Sequence, residues 1–563
     1  MRIGIDLGTT NSLVAMRRDG KTLIIPNQFG KKTTPSVVSM CKDQIYVGEM
    51  AHQVEIENPE NTFRIFKRSM GASRTFGDQQ VSAIDLSSLV IKQLIDDAET
   101  FSGEMVDEVI VSVPAYFTDA QRQATRQSAL MCGVKCERII NEPSAAALAY
   151  YTETKKEGIV LVFDFGGGTL DVTVVDIFDN IVDIVSIAGD NNLGGYDIDM
   201  VIYNLIVKKF PELQYISLEQ RKILDKKIED MKIALSEKEA VTSTIIINNI
   251  EHVITLSQEE LIKLSKNVLL TIRDVVSRAL TDAGINARDI EDVVCVGGSC
   301  KSIIIQEYLR ELMNQKIDIE VNPDEAIVTG LGMMLAIMDR EEIYKDIILT
   351  DVCPFSLGIQ IVGNVFSPII KKNTTLPTSR TSYYVTVWDN QDVIELNVYQ
   401  GESLIADLNK LLLNTAVKVI EKPRGMAGAY VTFMYDINGI LKVEVKGDDI
   451  IESYQSEILT NSLISEEEIE KTKKIMNDFS NQKKVDREEF LIARMGRLSQ
   501  ELNYEKNKEL KALFMEFNHS DTNMPKGERI LYINEINRKL DELQKEIYDP
   551  FEFNPVDTNR KYN

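Results

Sequence analysis

A duplicated turn constrains this chain more than any other feature. Gly4-Ile5-Asp6-Leu7-Gly8-Thr9-Thr10-Asn11-Ser12 is echoed by Phe163-Asp164-Phe165-Gly166-Gly167-Gly168-Thr169-Leu170-Asp171. Each copy runs from an apolar stretch through an Asp, a Gly-rich turn and a Thr into a second apolar stretch. Consecutive amides in such a turn form an anion nest, and glycine permits both the dihedrals and a close approach. An Asp just ahead of the turn can hold Mg2+ through its waters, because that ion keeps much of its hydration shell. One copy alone is an ordinary tight hairpin. Two, with matching Asp and Thr, predict two lobes that close on one polyanion and its metal, a nucleotide first of all.

The remaining bounds narrow the partners. A chain of 563 residues exceeds a single core, so two or more folding units are expected. The net charge of −24 argues against non-specific nucleic-acid binding and against anionic membrane surfaces. No apolar stretch approaches the ~20 residues that span a bilayer. Cys132 and Cys136 lie four apart, but neither a second pair nor a nearby His completes a zinc site. Reduced cysteines in a cytoplasmic protein are expected, with no signal peptide ahead of Met1-Arg2-Ile3.

Texture divides the chain. Residues 1–340 alternate strand-like runs (Val109 to Val113, Ile159 to Phe163) with amphipathic helices (Ala120 to Cys132, Leu218 to Leu235), which implies an α/β architecture. Residues 341–351 place apolar residues between Asp346 and Asp351 and read as a linker. Residues 352–458 hold closely spaced β runs, Leu357 to Ile361, Tyr383 to Val387, Val393 to Tyr399, Tyr430 to Tyr435 and Leu441 to Val445, with a hairpin turn at Asn438-Gly439. They predict an antiparallel β-sandwich. Residues 459–563 are polar and helical, with a capping box at Ser465 and Glu468, a hydrophobic staple at Ile464 and Ile469, a final helix near Glu528 to Ile547, and a frayed end from Asp549.

No Walker A sequence is present, and Gly330-Leu331-Gly332 sits in an apolar helical run that reads as helix packing. The order of other motifs is more telling. Val113-Pro114-Ala115-Tyr116-Phe117, Asn141-Glu142-Pro143, Val296-Gly297-Gly298-Ser299, Asn322-Pro323-Asp324-Glu325-Ala326, Asn373 to Pro377 and Tyr399-Gln400-Gly401-Glu402 follow the two turns in one uninterrupted series. The chain resembles DnaK-type chaperones, the seventy-kilodalton heat-shock family, from its start to about residue 450. Leu349 to Ser356 and Phe366 to Ile370 look closer to the HscC branch.

That resemblance implies an actin-like two-lobed ATPase domain, then the sandwich as a peptide-binding domain, then a shortened α-helical lid. It implies an ATP/ADP and Mg2+ cycle that binds and releases extended apolar segments of client polypeptides, with a J-domain co-chaperone and a mainly monomeric chain. By position, Lys67 matches the lysine that aligns water and γ-phosphate, Glu142 the carboxylate reaching Mg2+ and water, and Thr169 the hydroxyl facing the γ-phosphate, with Asp6 and Asp164 on the metal. Phosphoryl transfer needs such a cation and an aligned nucleophile. Gly8, Thr9, Thr10, Asn11, Gly166, Gly167, Gly168, Gly194, Gly195 and Gly297 match the phosphate cradle. Glu229, Lys232 and Ser236, on one helical face, match the adenosine site with Gly298, Ser299, Lys301 and Asp324. Lys301 stands where many relatives have Arg; it lacks the planar guanidinium that stacks on adenine, so looser binding is expected.

Pro114 and Arg122 match the family's proline switch and its arginine, and Asp351 the end of the linker. From residues alone, Lys67 and Arg122 pass equally well for surface cations. Thr350 replaces a linker leucine, which predicts weaker docking through lost apolar area. Ile359, Ile361, Val362, Tyr384, Val387, Ile394 and Leu396 match the peptide groove, although alternating apolar residues in a sandwich are also ordinary core. Val362 replaces a flexible Met in the arch over the peptide, which predicts a stiffer arch and a changed client preference. The chain is shorter than a DnaK-type protein between Lys67 and Pro114 and between Ser236 and Val293, so the usual exchange factor is not expected to fit. Two alternatives stand beside the chaperone: an actin-like filament protein or sugar kinase, and a nucleotide-gated binder of one partner.

Overall fold

The computed structural model describes residues 1–42, 44–248, 250–313, 322–457, 466–502, 504–520 and 524–548. Two six-stranded sheets repeat one plan. In the first, Arg2–Asp6 pairs antiparallel with Asn11–Arg18 and parallel with Glu108–Val113. In the second, Gly158–Phe165 pairs antiparallel with Leu170–Phe178 and parallel with Asp292–Val296. The duplicated motif is therefore the equivalent hairpin of each sheet, with its Gly-rich turn at the carboxyl end of the leading strand. Ile3, Ile5, Leu161 and Phe163 are fully buried, which is why these strands read as near-continuous apolar runs.

Two helices, Glu142–Thr154 and Ala326–Met338, share a core with residues of both sheets. They approach closely because small residues face each other: a Cβ on Gly330 would fall 1.8 Å from the Ala145 carbonyl oxygen. The pair Gly330 and Gly332 is thus helix packing, Gly332 lying against Thr22.

The acid-apolar-acid segment does not hang free. Ile348–Val352 adds as a parallel strand to the edge of the second sheet, with Ile348 opposite Ile181, Leu349 opposite Val182 and Thr350 opposite Asp183. It then pairs with Thr375–Leu376. The Thr350 hydroxyl donates a hydrogen bond to the Asp183 carboxylate. The expectation of weaker docking counted only lost apolar area and missed this polar contact.

Beyond the linker, two four-stranded antiparallel sheets pack face to face. One runs Val365–Ile370, Leu357–Ile361, Val393–Gln400, Lys410–Lys418; the other runs Thr378–Val385, Gly428–Tyr435, Leu441–Lys446, Tyr454–Glu457. Leu357 and Val398 of one meet Val431, Phe433 and Val443 of the other in one core. The strand expected over Tyr383 to Val387 stops at Val385, because the amides of Val387 and Trp388 turn to the Gln391 side chain. At the Asp436–Gly439 turn, Gly439 takes φ +69°, which favours glycine.

The helix Glu466–Asn481 lies on the first lobe and contributes Ile475, Met476 and Phe479 to that lobe's core. Three further helices, Arg487–Glu501, Tyr504–Asn518 and Lys526–Tyr548, form a bundle around Leu491, Leu498, Leu510, Ile536 and Leu540. The capping box at Ser465, the staple at Ile464 and the frayed end from Asp549 fall outside the described residues. Among the described residues no helix is long and apolar enough to cross a membrane.

Candidate functional site

Asp6 ends the first leading strand and Asp164 lies one residue before the end of the second, both buried. Lys67 sits on a short 3-10 turn, Phe66–Ser69, and is only 3% exposed, which rules out the surface-lysine reading. Its Nζ lies 2.8 Å from Glu142 Oε1. Glu142 opens its helix and Pro143 follows, a place where proline's missing N–H costs nothing. Ser112 Oγ donates to Asp6 Oδ1 at 2.8 Å, while Asp164 Oδ2 is buried without a hydrogen-bond partner.

Burial, then the charge of Glu142, pushes the Asp6 carboxyl up to about 7. The same two causes raise Asp164 well above the usual range. Asp171 rises to about 7 through burial and Glu142, although the amides of Ala115 and Tyr116 donate to it. Asp6, Glu142, Asp164 and Asp171 thus crowd around one ammonium. An orphaned carboxylate oxygen and surplus buried negative charge fit a divalent cation. Among the described residues no three side chains stand close enough to chelate an ion directly. That arrangement suits Mg2+ held through its water shell.

The two turns face one another. A Cβ on Gly167 would lie 2.0 Å from Thr10 Oγ1, and one on Gly168 would lie 2.6 Å from Thr9 Cγ2. Within the first turn, a Cβ on Gly8 would meet the Asn11 carbonyl oxygen at 2.0 Å. Thr169 is buried beside the second turn. The helix Gly195–Lys209 begins here: the amides of Gly195 and Tyr196 donate to the carbonyls of Gly166 and Gly167, each at 3.0 Å. A Cβ on Gly194 would stand 2.4 Å from the Gly168 nitrogen. The N-terminus of a 15-residue helix and two nests therefore converge, an environment for phosphate.

Alongside opens a cleft of about 320 Å3 lined by Thr9, Thr10, Gly167, Tyr196, Glu229 and Lys232. Lys232 Nζ contacts the Gly195 carbonyl at 3.1 Å and Asp199 at 2.7 Å. Burial opposes ionisation of Glu229, but the charges of Lys226 and Arg64 hold it down at about 2. Ser236 lies half-buried just past the end of the Leu218–Ala234 helix. On the other side Ser299 Oγ donates to the Gly166 carbonyl at 2.9 Å, and Gly297 turns with φ +85°. Gly298 lies against Asp324, which binds the Lys301 ammonium. The geometry thus brings the two turns, the start of the Gly195–Lys209 helix, Glu229 and Lys232 to one cleft, with Ser299 bonded to the second turn.

Two residues escaped the sequence reading. Arg68 Nε donates to the Gly168 carbonyl at 2.7 Å and its Nη2 to Asp197 at 2.7 Å, joining the lobes beside the cradle. Asp171 closes the second motif, and its place there was the available signal.

Arg122 is buried, not a surface arginine. Its guanidinium donates to the carbonyls of Phe117 and Ala115 and, at 2.7 Å, to Asn141 Oδ1. Pro114 follows directly on the Glu108–Val113 strand, and its carbonyl accepts from the Phe117 amide at 3.2 Å. Asn141 Nδ2 and Ser144 Oγ donate to Asp351 at 2.8 and 2.9 Å. From the sandwich, Asn438 exchanges hydrogen bonds with the main chain of Ile139 and Glu137, and the Leu441 amide donates to Asp119 at 3.2 Å. A Cβ on Gly439 would lie 3.2 Å from the Arg122 side chain, so the turn glycine permits this approach.

A family model described as Hsp70 protein matches residues 2–82 and 72–552. The chain belongs to the Hsp70 family. Hsp70 proteins are ATP-dependent chaperones and ATPases that work with ATP or ADP and Mg2+, on client polypeptides and with J-domain co-chaperones. The match runs far past the nucleotide lobes, an extension that neither a sugar kinase nor a filament protein requires. Of the groove positions expected for an Hsp70, Ile359 and Leu396 are buried in the core between the sandwich sheets. In this conformation their side chains pack inward. Tyr384 and Ile394 are half-buried against the same core. Ile361 and Val362 are exposed at one loop, and half-buried Val387 lies at another beside exposed Trp388.

Proposed function

We propose that this Hsp70 hydrolyses ATP between its two lobes and uses the nucleotide state to open and close a peptide groove on the sandwich. In this reading residues 1–340 form the actin-like ATPase domain, 341–351 the linker, 352–458 the peptide-binding sandwich and 459–563 a short helical lid. Lys67 aligns the attacking water and steadies charge on the γ-phosphate, and Glu142 keeps that lysine in register. Asp6, Asp164 and Glu142 would hold hydrated Mg2+, which supplies charge neutralisation on the phosphates. Thr169 faces the γ-phosphate; Glu229, Lys232 and Ser236 cradle the adenosine. Ile361, Val362 and Val387 contact the client.

One observation carries the coupling. Within a single helical turn, Glu142 points at Lys67 while its neighbours Asn141 and Ser144 hold Asp351 of the linker. A shift of Glu142 at the phosphate thus moves the groups that dock the linker. The docked linker and the lid helix lying on the first lobe support assignment of this conformation to the open, client-releasing half of the cycle. Steady-state ATP hydrolysis with and without an extended apolar peptide tests the reading. Stimulation by peptide that disappears in Asp351→Ala supports it; hydrolysis indifferent to peptide in the wild type refutes it.

A further inference from the structure

The mouth of the nucleotide cleft is bridged by charge. Glu55 of the first lobe pairs with Lys222 of the second at 2.9 Å, and Arg64 reaches Glu229 at 3.9 Å. Glu55 also holds Arg64 at 3.4 Å and His52 at 3.2 Å. Burial opposes ionisation of Glu55, but Arg64, His52 and Lys222 keep it below the usual carboxylate range. The bridge is therefore a fixed ionic link between lobes, beside the adenosine positions.

The element presenting this link is the helix Glu49–Gln53, only five residues long. A helix so short has no stability of its own, so its position is set by what packs against it. One side, through His52 and the following Glu55, faces the bridge. The opposite side meets the C-terminal bundle, more than 400 residues away in sequence. Phe490 packs on Met50 and Val54 and stacks on Phe29 with ring centroids 4.1 Å apart. Arg497 Nε donates to Gln53 Oε1 at 2.8 Å, and both side chains are buried. Met50, Gln53 and Val54 are spaced to share one helical face.

We propose that Arg497 is a positioning residue for the exit of the nucleotide cleft: the docked bundle holds the Glu49–Gln53 helix, the helix holds the Glu55–Lys222 bridge, and nucleotide leaves slowly while the bundle stays docked. When the lid departs to cover a client, the helix loses one of its supports and release accelerates. The chain then contains part of its own exchange control. This inference rests on the nucleotide reading of the cleft.

Release of a fluorescent N-methylanthraniloyl derivative of a non-hydrolysable ATP analogue, which keeps the bundle docked, from the full chain, followed by stopped flow, tests it. Arg497→Ala is expected to release the probe about 5-fold faster or more, the scale of a modest coupling between sites. Single-turnover hydrolysis is expected to stay unchanged, a split that general loosening of the fold does not produce. Arg497→Lys, which keeps a donor for Gln53, is expected to fall between. Arg538→Ala, at an exposed pair within the bundle, is expected to match the wild type. Phe490→Leu, a milder loss of the same contact, is expected to accelerate release even if Arg497→Ala does not fold. Equal release rates in wild type, Phe490→Leu and Arg497→Ala overturn the proposal. Failure of the wild type to bind the probe at all defeats instead the nucleotide reading beneath it.

Discussion

Replacing Thr350 by Val keeps the outline of the side chain and deletes its hydroxyl. In the docked linker that hydroxyl donates to Asp183, and both residues are half-buried. A hydrogen bond to a charged group contributes about 1.5–3 kcal/mol when well shielded. Partial exposure and screening bring this down to about 1 kcal/mol. Since 1.4 kcal/mol is tenfold, the undocked population is expected to rise about 5-fold. Strand pairing opposite Ile181 and Val182 persists, so docking weakens without being abolished. Thr350→Leu loses the same bond but adds apolar contact, at about 0.8 kcal/mol per fully buried methylene, and recovers part of the loss. Hydrogen exchange of residues 348–352 in the presence of ATP reads the effect: protection should order wild type, then Thr350→Leu, then Thr350→Val. Peptide stimulation of ATP hydrolysis should fall in the same order. Protection in Thr350→Val equal to or above that of the wild type refutes the role given to the Asp183 contact.

Three further outcomes follow from the geometry. Lys67→Ala removes the cation paired with buried Glu142 and is expected to slow single-turnover hydrolysis by about 100-fold or more while nucleotide still binds; a change in affinity alone contradicts the assigned role. Gly194→Ala places a methyl 2.4 Å from the Gly168 nitrogen and is expected to lower ADP affinity at least about tenfold, measured by titration calorimetry, with an unchanged circular dichroism spectrum. Burial raises Asp119 to about 7 at the interface with the sandwich, despite the Leu441 amide and the Arg122 charge. The docked state therefore holds a proton that a solvated aspartate, with its pKa near 4, releases. This contribution to docking is complete below about pH 4 and is lost as pH rises through 7. Linker protection, corrected for intrinsic exchange, should decline from pH 5 to pH 8, and Asp119→Asn should flatten the decline; an equal slope in that variant counts against the assignment.

What the sequence revealed was local, and what it hid was long-range. The duplicated Asp-Gly-Thr turn was legible because nest-forming glycines and the flanking strands occupy one short stretch of chain. The alternation of sandwich strands was legible for the same reason. The burial of Lys67 and Arg122 was not, because it depends on Glu142 and on Asn141 and Gly439, partners brought in from other elements. The hydrogen bond of Thr350 joins residues 167 apart, so composition of the linker could register only the missing leucine. Ile359 and Leu396 match groove positions by resemblance, and their alternation shows which residues share a face, not whether that face meets peptide or the opposite sheet. Amphipathic patterning predicted that the C-terminal helices bury a face. It did not say that one of them buries it in the first lobe.

That last arrangement bears on how the chain can be divided. Ile475, Met476 and Phe479 complete a core whose other members come from residues 3–139. Gln482 adds to this by exchanging hydrogen bonds with both main-chain groups of Ile45. A fragment ending at the linker therefore bares an apolar recess and an open strand edge that the intact chain covers. Such a fragment should be stickier and melt lower than the same residues within the whole protein. Its ATP turnover would then describe a lobe stripped of its own cover, and a short segment spanning residues 466–485 added in trans is the natural reagent for restoring it.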